Sequence, residues 1–234
     1  MRTSSKYIGI LACGLFCFAS PTFAGCTSHG VIYGKFASGY IFADVGSLAS
    51  GDVVVQGGHT SLCDDGHWSG SLVGSAGPGG HTAYEIDGSL FYNDKVGPVA
   101  MEFGAQYYAL NVKGNSMLDA SDDTGFFYGD FSWPITFGKL TVAPLVRVGQ
   151  SVGVRHLESQ TLIQPGIRGS FQLDRDWQLS ADIRDSSNLT DKYSALRVDA
   201  NVNWQFTEHS SAQIEFVDNS RVRGVWSISY TYKY

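Results

Sequence analysis

Between residues 196 and 206 apolar and polar side chains alternate without a break. Leu196, Val198, Ala200, Val202, Trp204 and Phe206 fall on one side, and Arg197, Asp199, Asn201, Asn203 and Gln205 on the other. Successive side chains of an extended chain point to opposite faces, so the pattern describes a strand with one apolar and one polar face. Residues 177–184 repeat it, with Gln178, Ser180, Asp182 and Arg184 on the polar side. Residues 82–92 do so again, where Glu85 and Asp87 oppose Tyr84, Ile86 and Leu90. No stretch carries a capped helical period. The chain reads as all-β.

A sandwich and a membrane barrel both bury one strand face, so alternation alone does not separate them. Strand length does: segments of ten or more residues fit a tilted transmembrane strand of about 9–11 residues better than the usual ~5–6. The last segment runs from Trp226 to the final Tyr234, with Trp226, Ile228, Tyr230, Tyr232 and Tyr234 on one face. It resembles the closing strand of Gram-negative outer-membrane barrels, and implies recognition by the barrel-assembly machinery.

Strands are expected at 30–42, 52–62, 67–76, 82–92, 97–110, 124–133, 139–149, 160–172, 177–185, 193–206, 210–218 and 222–234. The expected fold is an antiparallel transmembrane β-barrel, most simply of twelve strands, with ten or eight as alternatives. An even number suits a bacterial single-chain barrel. With the amino terminus in the periplasm, short turns at 63–66, 93–96, 134–138, 174–176 and 207–209 fall on the periplasmic side. The longest connections, 111–123 and 150–159, fall outside, as barrel loops do. Trp68, Trp133, Trp177 and Trp204 then gather at one rim with Tyr92 and Tyr234. Aromatic rings collect at a bilayer interface because an apolar body with a polar edge suits that boundary.

The amino terminus fixes the compartment. Arg2 and Lys6 precede an apolar run and then Ser20-Pro-Thr-Phe-Ala24, the layout of a signal peptide cleaved after residue 24. Residues 25–234 would form the barrel. Phe23-Ala-Gly-Cys26 also resembles a lipobox, which leaves lipidation of Cys26 as an alternative. Cys13 and Cys17 leave with the signal, so Cys26 and Cys63 remain in an oxidising compartment and are expected to pair. Closing that loop of about 36 residues contributes roughly 3–4 kcal/mol. Loss of Arg2 and Lys6 takes the basic residues from 16 to 14 against 22 acidic ones, a net charge of −8. That charge argues against a nucleic-acid partner. Charged residues make up only 16% of the chain, against ~25% in soluble domains, as a lipid-facing surface requires.

Ser38-Gly-Tyr-Ile-Phe-Ala-Asp-Val-Gly-Ser47, Val54-Val-Gln-Gly-Gly58 and Asp65-Gly-His-Trp-Ser-Gly-Ser-Leu-Val-Gly-Ser75 are similar to the opening hairpins of the TorF-like family of small outer-membrane porins. Glu85-Ile-Asp87 and Phe103-Gly-Ala-Gln-Tyr-Tyr108 are similar to its following strands. The resemblance covers residues 30–110 and implies an outer-membrane channel. Ile41 and Ala43 stand where the family often carries arginines, so an arginine-based pore function of the first strand is not implied. Length and strand count also resemble, in architecture alone, the small channels for acidic oligosaccharides.

If apolar faces meet lipid, the polar alternates line the pore. Glu85, Asp87, Glu102 and Asp130 would then form an acidic wall. Arg147, Arg168, Arg184 and Arg197, interrupted by Asp182 and Asp199 and joined by Arg223 and Lys233, would form a mostly basic one. Such a lining suggests a narrow passive diffusion channel for small polar or charged solutes, because rings of charge set selectivity. The plain alternative is a structural barrel whose lumen is sealed by those side chains pairing. The rival from another class is a lipid hydrolase. His59 and Ser61 share one strand face at a spacing that could join a base to a nucleophile, yet no acid or amide orients His59. Metal ligation and cofactors are not expected: His29, His59, His67, His81, His156 and His209 are scattered. Asp119, Asp122 and Asp123 could hold a cation beside lipopolysaccharide, or form a solvated acidic loop.

Overall fold

The computed structural model describes residues 29–42, 46–63, 65–76, 84–111, 124–153, 159–185, 187–189, 195–220 and 222–234. The expected signal segment, Cys26, and the acidic cluster at 119–123 lie outside the described residues. Fourteen strands form one sheet: β1 (His29–Phe42), β2 (Gly46–Leu62), β3 (Trp68–Ala76), β4 (Tyr84–Val96), β5 (Val99–Asn111), β6 (Thr124–Ser132), β7 (Ile135–Phe137), β8 (Leu140–Gly153), β9 (Gln160–Gln172), β10 (Trp177–Asp185), β11 (Ser187–Asn188), β12 (Leu196–Gln205), β13 (Ser210–Asn219) and β14 (Val222–Lys233). Two are short appendages, β7 pairing with β8 and β11 with β9. The other twelve pair antiparallel with their neighbours in sequence and close into a barrel.

Closure joins the first strand to the last. Phe36 stands opposite Ile228 and Gly34 opposite Tyr230. The seam runs to the last residue, since Gly30 and Tyr234 exchange both backbone hydrogen bonds, at 3.2 and 3.1 Å. A barrel so closed leaves no edge strand, so its first and last strands find backbone partners in each other and not in water.

The outer face is apolar and uncovered. Phe36 and Trp226 are each 58% exposed beside exposed Ile228 and Ile214, and Phe127 and Val148 are exposed on β6 and β8. Contiguous apolar surface on this scale marks a membrane-facing wall. At the end where the carboxyl terminus lies, Trp68, Trp133, Trp177, Trp204, Tyr232 and Tyr234 are all exposed at strand ends, forming the expected rim. Trp177 and Trp204 stack there at 5.4 Å with planes 7° apart, and Trp68 packs on Tyr92 at 4.9 Å.

Two expected turns are strand instead. Asn93, Asp94, Lys95 and Val96 continue β4, and Val96 faces Val99 across a two-residue loop. Ile135, Thr136 and Phe137 pair with β8 beyond the Trp133-Pro134 interruption, and Phe137 faces Leu140. Each loop begins on a glycine with positive φ, 58° at Gly97 and 61° at Gly138, as the first central position of a two-residue hairpin loop demands. The strands overrun because they leave the bilayer here, where a polar residue costs nothing on either face. In the turn after β2, Asp65 Oδ1 accepts hydrogen bonds from the amides of His67 (2.9 Å) and Trp68 (3.3 Å). The His67 amide chiefly holds this exposed carboxyl below its ordinary pKa.

Candidate functional site

The barrel interior is the candidate site. Register fixes which residues face it: Asn93, Glu102, Asp130, Arg147 and Gln164 are consecutive lateral neighbours across β4, β5, β6, β8 and β9. Arg168, Asp182 and Asp199 form a second such row. All lie on the face opposite the exposed apolar residues, so Asp87, Glu102, Asp130, Arg147, Arg168, Asp182, Arg184, Arg197, Asp199 and Lys233 face inward together. Glu85 and Arg223 lie in β4 and β14, but their side chains are outside the described residues.

The interior charges are paired along the wall. Arg147 donates from Nη2 to Asp130 Oδ2 at 2.8 Å, with its guanidinium 4.4 Å from the Tyr128 ring centroid. Tyr128 donates its hydroxyl to Glu102 at 2.6 Å. Arg168 donates from Nε to Asp182 at 2.9 Å and lies 4.0 Å from Asp130. Asp182 also accepts from Arg184 Nε and Nη2, at 2.6 and 2.7 Å. On β12, Arg197 Nε donates to Asp199 at 2.9 Å. The acidic and basic residues expected on separate walls therefore meet at the β6–β8 boundary and continue as a ladder of ion pairs from β6 to β10, with a further pair on β12.

Two partners escaped the sequence reading. Lys35 of β1 donates to Glu215 of β13 at 2.6 Å, reaching over β14, where the Ser227 hydroxyl also donates to Glu215 at 3.0 Å. Parity within each strand would have marked both as inward. With them, five described inward cations, Lys35, Arg147, Arg168, Arg184 and Arg197, each meet a carboxylate of the inner face, Asp130, Asp182, Asp199 or Glu215. Most of these side chains are well shielded, but that of Arg168 is 45% exposed. It borders a polar recess of about 200 Å³ lined by Asn93, Ala100, Met101, Glu102, Asp130, Ser132 and itself.

Uncharged residues complete the interior. Phe126, Tyr128 and Leu162 are buried together, with Phe91 and Tyr108 against them. These rings lie flat because glycines make room: a Cβ on Gly149 would meet the Phe126 ring at 2.7 Å, and one on Gly104 would collide with Tyr128. Elsewhere the lining is neutral and polar. Thr60, Ser71, Ser89 and Gln106 are lateral neighbours from β2 to β5. Gln172, Gln178, Asn203, Gln213 and Ser229 are lateral neighbours from β9 to β14. One strand position deeper, Ser180 donates to Asn201 Oδ1 at 2.6 Å.

On the outer face, the His59 ring nitrogen Nε2 is hydrogen-bonded to the Tyr234 hydroxyl, and the two rings stack at 5.9 Å. The imidazole is thus committed across the β1–β14 seam, while Ser61 is buried opposite Gly30. The geometry joins His59 to Tyr234 and not to Ser61.

Neither a protein-family model nor a curated protein matches the chain. Solved structures do resemble it. A KdgM porin in complex with disordered oligogalacturonate aligns with a TM-score of 0.61 and 9% identity, over 88% of this chain and 98% of that one. A NanC porin aligns with a TM-score of 0.60 and 10% identity, over 87% and 98%. The Acinetobacter baumannii outer membrane protein Omp33 aligns with a TM-score of 0.50 and 7% identity, over 90% and 100%. At such identities the likeness is one of fold.

Proposed function

We propose that the chain is a Gram-negative outer-membrane porin, a narrow passive diffusion channel for small polar or charged solutes, and not an enzyme. What carries the reading is the combination of a closed barrel with an apolar outer wall and an inward-facing arginine, Arg168, that remains 45% exposed. An inward side chain reaches that exposure only if water enters the barrel. Solute passes where a polar lining replaces part of its hydration. The residues assigned to the lining are Glu85, Asp87, Glu102, Asp130, Arg147, Arg168, Asp182, Arg184, Arg197, Asp199, Arg223 and Lys233. The fold shared with the KdgM and NanC porins supports the channel and the outer membrane as its location. Similarity to the TorF-like porins rests on the motifs within residues 30–110.

In this reading residues 1–24 are the export signal and the aromatic rim faces the periplasm. Lipopolysaccharide surrounds the other end, and the strand ending at Tyr234 is what the assembly machinery reads. Cys26 ties the amino terminus to the first periplasmic turn through Cys63, whose sulfur is half of a disulfide. Alkylation of the two thiols only after reduction checks that pairing.

Purified protein in planar bilayers should give discrete conductance steps, and Arg168→Glu should move its ion preference toward cations. A folded barrel without steps would establish the second reading, a structural barrel. That alternative draws on the buried cluster of Phe126, Tyr128 and Leu162 with the ion pairs beside it.

A further inference from the structure

We infer that the interior is built for neutral, hydroxyl-rich solutes, small sugars and polyols, and discriminates against anions of the same size; this rests on the channel reading above and names its solute class. The first observation is charge compensation. Arg147, Arg184, Arg197 and Lys35 each hold a carboxylate at 2.6–2.9 Å. Arg168, the most exposed guanidinium of the ladder, stands between two carboxylates, Asp182 at 2.9 Å and Asp130 at 4.0 Å. A compensated pair has little field beyond its own length, and an anion passing this ladder loses hydration without meeting an unbalanced cation there.

The second observation is the neutral rows. Gln172, Gln178, Asn203 and Gln213 stand side by side across four strands just inside the tryptophan rim. Thr60, Ser71, Ser89 and Gln106 run side by side over β2–β5. Each of these side chains is only half-buried. Amides and hydroxyls offer both donors and acceptors, which is what a sugar hydroxyl needs in exchange for water. A carboxylate or phosphate accepts only, and leaves the acceptors of these rows unused.

The test compares glucose, glucuronate and glucosamine, nearly equal in size and differing in charge, as radiolabelled solutes entering proteoliposomes that contain the purified barrel. Glucose should enter about fivefold faster than either charged sugar, and a potassium chloride gradient should give a reversal potential near zero. Gln178→Lys places an uncompensated cation in the amide row without touching an ion pair. It should raise glucuronate entry about fivefold, while glucose entry stays within twofold, roughly. Glucuronate entering the wild type as fast as glucose, or a Gln178→Lys barrel that conducts but leaves glucuronate entry unchanged, overturns the inference while leaving the channel intact. A folded barrel that conducts nothing and admits none of the three overturns the channel reading and this inference together.

Discussion

Asp182 holds two guanidinium groups at once, Arg184 through both oxygens at 2.6 and 2.7 Å and Arg168 at 2.9 Å. Asp182→Asn keeps the side chain's shape and one acceptor oxygen, but removes the charge between two cations. The Arg184 side chain is only 10% exposed, so its charge is largely out of water. Stranding a buried charge costs about 3–5 kcal/mol. Arg168, nearly half exposed, is screened by solvent and adds little. The expected loss is about 2–4 kcal/mol, nearly all of it from Arg184. Urea unfolding in lipid vesicles, followed by tryptophan fluorescence, should show a lower midpoint with an unchanged slope. Asp182→Asn with Arg184→Gln removes the stranded charge and should recover most of that loss. A single variant within about 0.5 kcal/mol of wild type, or a double variant no better than the single, would refute the claim that the pair is held out of water.

Gly149→Val should destabilise the barrel by about 1–3 kcal/mol, because its side chain would occupy the space of the Phe126 ring; thermal unfolding in detergent measures it. A double-mutant cycle with Trp177→Leu and Trp204→Leu should return a coupling of about 0.5–1.5 kcal/mol for the stacked pair. Additivity would show that the rings act on lipid independently. The Asp65 carboxyl should titrate by NMR below its unfolded value of about 3.9, since its anion accepts the His67 and Trp68 amides. Its contribution to the turn is therefore present above that unfolded value and is lost as pH falls through the lower folded one. Asp65→Asn should abolish that dependence.

The strands were legible because the bilayer is an unforgiving solvent. The outward residues of 196–206 and of 222–234 must be apolar at every second position, and nothing interrupts the count. Legibility stopped where that solvent stopped. Asn93-Asp-Lys95 looks like a turn, yet pairs with Ala100-Met-Glu102 because the glycine that permits the reversal, Gly97, comes later. Within the barrel, alternation told that Arg168 faces inward but not which carboxylate it meets. That depends on register across β6, β8, β9 and β10, and on how far a long side chain reaches. The Lys35–Glu215 pair shows the limit most clearly, since its members lie 180 residues apart and meet only because the sheet closes. The sequence suggested opposed charged walls, and strand register puts their described members on one face of the sheet. Adjacency of β6 and β8 converted them into a ladder.

The rings that rest on glycines bear on calibre. Twelve strands set the circumference of the backbone, but the width left to a solute depends on how far side chains stand away from it. Tyr128 over Gly104 and Phe126 over Gly149 occupy the wall's own thickness, so two bulky aromatics are accommodated as lining instead of as obstruction. The bore is thus encoded as much by the residues that have no side chain as by those that do. An added methyl on Gly104 or Gly149 would narrow the barrel without touching its axis, by tilting a ring off its bed.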